Sequence, residues 1–281
     1  MPIRVTRFRE MKQTGERIAS ITAYDYPTAK LVAAAGIPLI LVGDSLGNVV
    51  LGFDSTVKVT VDDIVRHTQA VVRGAPEVFV VADMPFMSYQ ASVDDAVRNA
   101  GRLVAEGGAH AVKLEGGRSI AESVKRIVEA GIPVMGHIGL TPQSVNAMGG
   151  YRVQGRTLRE AQRLLEDADA LERAGAFAVV VEGVPGQLAE VLTKRLRIPT
   201  IGIGAGIGCD GQIQVVHDIL GFSDRTPKHS KLYANVNKVI QDAVEAYVKD
   251  VKDGVFPGPE QTTQIDDAVL KELLGSAAPE R

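Results

Sequence analysis

Three carboxylates in this chain stand directly behind or inside apolar runs: Val42-Gly43-Asp44-Ser45, Val81-Ala82-Asp83 and Val112-Lys113-Leu114-Glu115. Carboxylates gathered in one place repel one another, and a cation resolves the conflict. An all-oxygen donor set selects a hard ion, Mg²⁺ ahead of Ca²⁺, with waters or substrate completing its shell. Asp44, Asp83 and Glu115 are therefore the expected metal ligands, although any single Asp here would also serve as a helix N-cap. Lys113 and Glu115 are two apart and share one face of a strand, with Leu114 on the other. Turned into a barrel mouth, they would pair with each other or bind a ligand, because a lone buried charge is costly. Glu182 closes Val179-Val180-Val181. Partial desolvation there makes it a better base, suited to taking a proton from a carbon next to a polarised carbonyl. His137, in Met135-Gly136-His137-Ile138-Gly139, suits hydrogen bonding to a substrate, acid–base work or metal binding, and equally a packed core position. His217, at the end of the last apolar run, ranks below it. His67 and His110 read as structural, and His229 carries no clear signal.

These residues need a frame that brings strand ends together. Eight near-continuous apolar runs supply it: Ile18–Thr22, Leu39–Val42, Val78–Ala82, Ala111–Leu114, Pro133–Gly136, Phe177–Val181, Pro199–Ile203 and Ile213–Val216. Unbroken apolar runs are how strands buried on both faces read. Amphipathic stretches between them open on capping patterns at Thr60, Ser92, Ser119 and Thr157 and close on Gly36, Gly74, Gly107, Gly131 and Gly175. Strand and helix alternating eight times predict a (β/α)8 barrel, whose reactive groups sit at the carboxyl ends of its strands. An open doubly wound sheet is the alternative. The expected organisation is one barrel over residues 1–255 and a C-terminal arm over 256–281. The arm carries one amphipathic stretch, Ile265–Leu274, and a disordered end.

The connection from Gly139 to Thr157 is the longest after any strand, and Gly149-Gly150 makes it a lid candidate. The run Gly202 to Gly211 contains one G-x-G-x-x-G match. Another strand follows it rather than a helix, so it reads as backbone approaching a ligand and not as a dinucleotide site. The 281 residues are 45% hydrophobic with net charge −3, which argues against a nucleic-acid partner. A single cysteine, Cys209, excludes an internal disulfide and suits a reducing cytoplasm. No signal sequence and no membrane span are expected.

Several words occur together and in order from Ile21 to about Gly221: Thr22-Ala23-Tyr24-Asp25-Tyr26, Val42-Gly43-Asp44-Ser45-Leu46-Gly47, Ala82-Asp83-Met84-Pro85-Phe86, Val112-Lys113-Leu114-Glu115-Gly116-Gly117, Gly136-His137-Ile138-Gly139-Leu140-Thr141-Pro142-Gln143, Gly149-Gly150-Tyr151, Gln154-Gly155-Arg156 and Gly202-Ile203-Gly204-Ala205-Gly206 with Asp210-Gly211-Gln212. The set resembles the ketopantoate hydroxymethyltransferase (3-methyl-2-oxobutanoate hydroxymethyltransferase) family. The resemblance implies a Mg²⁺-dependent barrel of the phosphoenolpyruvate/pyruvate-binding type, assembled as a homo-oligomer, typically a decamer. It implies hydroxymethyl transfer from 5,10-methylenetetrahydrofolate to 3-methyl-2-oxobutanoate in pantothenate biosynthesis. It also implies metal ligation by Asp44 and Asp83 with Glu115 close by, keto-acid contacts from Ser45, Asp83, Lys113 and His137, and Glu182 as proton acceptor. Histidine at 229, where the family usually has phenylalanine, and a long tail beyond Glu260 are departures. A folate-independent, metal-dependent lyase or aldolase acting on pyruvate-like 2-oxo acids is the nearest rival reading.

Overall fold

A computed structural model describes residues 3–222 and 226–276. Eight parallel strands close into a barrel in sequence order: β1 Ile18–Thr22, β2 Leu39–Val42, β3 Phe79–Asp83, β4 Ala111–Glu115, β5 Val134–Gly139, β6 Ala178–Glu182, β7 Thr200–Ile203 and β8 Gly211–Gln214. β1 completes the ring by pairing with β8, Ile18 against Gly211. The predicted barrel is therefore the observed one. The eighth strand lies two residues early, so Val216 and His217 belong to the short helix Val216–Leu220 and not to a strand end.

Alternation divides each strand between two cores. Leu39, Leu41, Phe79, Val81, Met135 and Val180 fill the barrel interior, whereas Ile40, Val42, Val80, Leu114 and Val179 pack outward beneath the helices. The inward parity carries on to the carboxyl ends, where it reaches Asp83, Lys113, Glu115, His137 and Glu182. Apolar layers below and ionisable groups above thus follow from one period of two. The helix Val5–Thr14, which the strand pattern does not reveal, seals the opposite end with Phe8 and Met11. The Phe8 ring stands 5.1 Å from that of Phe79. Burying such a ring is worth roughly 2–3 kcal/mol.

Thr60 and Thr157 form capping boxes, and Ser92 caps through the Asp95 amide. Ser119 does not cap, because a 3-10 turn, Arg118–Ile120, leads into the helix Ala121–Glu129. Gly36, with φ 84°, makes the left-handed turn expected of it. Gly74 serves a different need. A Cβ there would stand 2.5 Å from the Tyr26 carbonyl oxygen, so the helices Tyr26–Ala34 and Val61–Gly74 approach too closely for a side chain. Two of the later glycines also answer packing. A Cβ at Gly208 would press on Glu190, and one at Gly211 would collide with the Ile18 carbonyl.

The chain divides at Asn235 into two compact units. The helix Val236–Lys252 therefore falls with the second unit, whereas the expected barrel ran on to residue 255. That unit also holds the helix Asp267–Ser276, which covers most of the amphipathic stretch read from the sequence. The last five residues, where disorder is expected, lie outside the described residues. No helix among the described residues is long and apolar enough to cross a membrane.

Candidate active site

At the carboxyl ends of β2 to β6 lies a cleft of about 270 Å³, lined by Asp44, Ser45, Asp83, Lys113, Glu115, His137, Tyr151 and Glu182 among others. The barrel register sets the neighbours: Asp83 opposite Lys113, Glu115 opposite His137, and Gly139 opposite Glu182. All the sequence-predicted site residues meet here, together with His229, which also lines the cleft. His217 is elsewhere, tilted against the Tyr24 and Phe222 rings.

Lys113 is the hub. Its Nζ lies 2.8 Å from Asp83 Oδ1 and 3.5 Å from Glu115 Oε1. It also reaches to 3.3 Å from His137 Nδ1. Burial works against its charge, but Asp83, Glu115 and Asp44 outweigh burial and hold its pKa above the ordinary lysine range. His137 contacts Glu115 at 3.4 Å through Nδ1 and Glu182 at 3.2 Å through Nε2. Burial and the Lys113 ammonium oppose a charged ring, yet the two glutamates prevail and push its pKa up to about 9. Burial raises Glu115 as well, but Lys113 and His137 bring it below the usual carboxylate range.

Asp44 makes no ion pair among the described residues: burial, then repulsion from Asp83 and Glu115, push its pKa well above the ordinary value, and Lys113 lowers it only in part. The Asp44 amide donates to Asp83 Oδ2 at 3.2 Å, which ties the two strand ends together. Asp44, Asp83 and Glu115 all line this cleft, and Asp44 is close enough to feel both of the other carboxylates. Among the described residues, no three His, Cys, Asp or Glu side chains form a ready metal-binding set. The physical reason is that Asp83 and Glu115 are already engaged, the first by Lys113 and the second by Lys113, His137 and the Gln143 amide.

Gln143 is the residue missed by sequence reasoning. It lies in the 3-10 turn Pro142–Ser144 of the long loop after β5 and is buried. Its Nε2 donates to Asp44 Oδ2 at 3.0 Å and to the Met84 carbonyl at 2.9 Å. Its Oε1 accepts from Tyr89 Oη at 2.7 Å and Gln90 Nε2 at 3.3 Å, and its amide donates to Glu115 Oε2 at 3.0 Å. Tyr89 is also bonded to the Glu115 backbone. Ser45 shares a 2.8 Å hydrogen bond with the buried Tyr24 hydroxyl. Farther out, burial and the carboxylates of Glu182, Asp44 and Glu115 raise the Tyr151 phenol above its ordinary pKa.

The fold recurs in solved structures. A phosphonopyruvate hydrolase in complex with oxalate and Mg²⁺ superposes with TM-score 0.61 at 13% identity, over 97% of this chain and 95% of that one. A 2,3-dimethylmalate lyase, described as a member of the PEP mutase/isocitrate lyase superfamily, gives TM-score 0.57 at 15% identity, covering 97% and 99%. The class is thus a (β/α)8 barrel shaped like those enzymes. Sequence is more specific. The family model described as ketopantoate hydroxymethyltransferase matches residues 2–259. A 3-methyl-2-oxobutanoate hydroxymethyltransferase of Dehalococcoides mccartyi is 57% identical over 278 residues, 99% of each chain. One from Chloroflexus aurantiacus is 56% identical over 277 residues, 98% of each. The chain belongs to the ketopantoate hydroxymethyltransferase family.

Proposed function

We propose that this barrel transfers a hydroxymethyl group from 5,10-methylenetetrahydrofolate to 3-methyl-2-oxobutanoate, giving 2-dehydropantoate for pantothenate biosynthesis, with Glu182 as the base. The observation that carries the reading is the placement of Glu182. Its carboxylate faces the Lys113, Asp83 and Glu115 cluster across a cleft of small-molecule size and touches His137 at 3.2 Å.

Lys113, His137 and Ser45 bind the carboxylate and keto end of the oxo acid and fix its orientation. Glu182 takes the C3 proton, and His137 holds the Glu182 carboxylate in place for that transfer. The carbanion equivalent at C3 forms the new C–C bond to the one-carbon unit. The carbon–nitrogen bonds to the folate break, and water supplies the hydroxyl. The apolar layer of Leu41, Val180, Ile203 and Ile213 floors the cleft and keeps bulk water from the reacting carbon.

The donors fit a divalent cation. Asp44 and Asp83 offer hard oxygen ligands at adjacent strand ends, and burial with repulsion from Asp83 and Glu115 disfavours the charged form of Asp44, which a cation would stabilise. Two protein carboxylates, with substrate and waters, suit Mg²⁺, and Glu115 would act near it and not as an equal third ligand. When bound, the ion draws electron density from the keto oxygen and lowers the cost of removing the C3 proton.

Glu182→Gln should still bind divalent cation and oxo acid but lose exchange of the C3 hydrogen with D₂O, followed by NMR. Exchange at the wild-type rate removes Glu182 from this role. Omitting tetrahydrofolate separates the transferase from a folate-independent lyase or aldolase, which would turn over without it.

A further inference from the structure

We propose that the outer half of the long β5 loop is the binding wall for the one-carbon donor. Tyr151 stacks on the flat pterin ring, and Arg152 and Arg156 meet the carboxylates of the glutamyl tail. This rests on the reading of the reaction above.

The loop is stitched to the catalytic strand at both feet. Leu140 N donates to the Glu182 carbonyl and Gln154 N to the Gly183 carbonyl, each at 2.8 Å. Its inner arm is fastened to Asp44 and Glu115 through Gln143. Between the arm and the second foot, Gly149 and Gly150 take φ 69° and 109° and lead the chain outward. Tyr151 follows, within three residues of the foot on Gly183.

Tyr151 lines the same cleft as Glu182, yet it is 65% exposed. Tyr24 and Tyr89, the other tyrosines bonded into the site, are buried with engaged hydroxyls. An aromatic ring left open beside a catalytic base is a platform for a planar ligand. The cleft measures about 270 Å³. That takes a five-carbon oxo acid but falls below the roughly 300–1,000 Å³ usual for larger ligands. A pterin therefore has to lie at the mouth, where Tyr151 stands. Arg152 and Arg156 come next in the chain, exposed, and their side chains have no ion pair among the described residues. A flat heterocycle carrying an anionic tail matches that pairing of aromatic ring and free guanidinium groups.

The test uses full-length enzyme and steady-state kinetics with 5,10-methylenetetrahydrofolate. Tyr151→Ala should raise KM for the folate by about tenfold or more, as loss of one stacking contact does, with KM for the oxo acid within twofold of wild type. Tyr151→Phe should keep the wild-type folate KM, because the ring and not the hydroxyl does the stacking. In Arg152→Gln/Arg156→Gln, the folate KM should rise and become less sensitive to added salt. The proposal is overturned if the Tyr151→Ala folate KM stays within twofold of wild type, or if both KM values rise together. Continued C3 exchange in each variant shows that the acid cluster is intact. A wild-type enzyme that turns over without folate overturns the reaction assignment itself, a different and separately visible failure.

Discussion

The amide of Gln143 spends both donors and both acceptor positions inside the acid cluster. Truncating it leaves Asp44 without its only side-chain donor among the described residues and strands buried partners. Partners of metal ligands commonly govern affinity by about 10- to 100-fold. Gln143→Ala should therefore weaken Mg²⁺ or Mn²⁺ binding by roughly that factor, read by titration calorimetry. Unchanged affinity would leave Gln143 a purely structural residue. A second prediction concerns pH. His137 titrates near 9 in the fold, against an unfolded value of about 6.5. Its contribution is complete below the unfolded value and is lost as pH rises through the folded one. The raised pKa of Asp44 acts with the same sign. Metal-free protein should thus lose stability between about pH 6.5 and 9, by up to roughly 3 kcal/mol for His137. Urea midpoints with EDTA measure this, and a flat profile would contradict it. Asp83, Lys113, Glu115 and Glu182 were legible because each abuts an apolar run. Gln143 was not, since an uncharged residue in a loop gives no sign of turning inward.

At the level of elements, strand alternation put the charged groups on one inward face, and the sequence carries that period openly in Ala111-Val112-Lys113-Leu114-Glu115. Capping was equally readable at Thr60, Ser92 and Thr157, where side chain and amide are three residues apart. The close approach at Gly74 was not, because it depends on a neighbouring helix. Gly74→Ala should destabilise the barrel by about 1–3 kcal/mol through overpacking on Tyr26. Gly101, inside the helix Val93–Ala105, has open space where a Cβ would go. Gly101→Ala should stabilise by roughly 0.5–1 kcal/mol. Thermal denaturation of the two variants should move in opposite directions, and movement in the same direction would refute the packing argument.

At the scale of the molecule, the boundary at Asn235 was hidden for a physical reason. The helix Val236–Lys252 has the same amphipathic period as the barrel's own helices, and a period shows an apolar face without showing what covers it. Val244 is 54% exposed and Val248 41%. We propose that assembly into the homo-oligomer expected from the family resemblance covers that face. Val244→Lys/Val248→Lys should then lower the mass seen by sedimentation, and an unaltered mass would place the interface elsewhere.

Asp44, Asp83, Lys113, Glu115, His137 and Glu182 fall on or directly behind five consecutive strands, β2 to β6. Each of those strands pairs with the next one along the chain, so the charged ring is laid down strand by strand in sequence order. The last gap closes differently, through Ile18 and Gly211, nearly the whole barrel apart in sequence. Contacts between residues far apart in sequence carry the larger loop-closure cost. The topology thus puts the costliest closure of the ring at a seam away from the strands that carry the acid cluster.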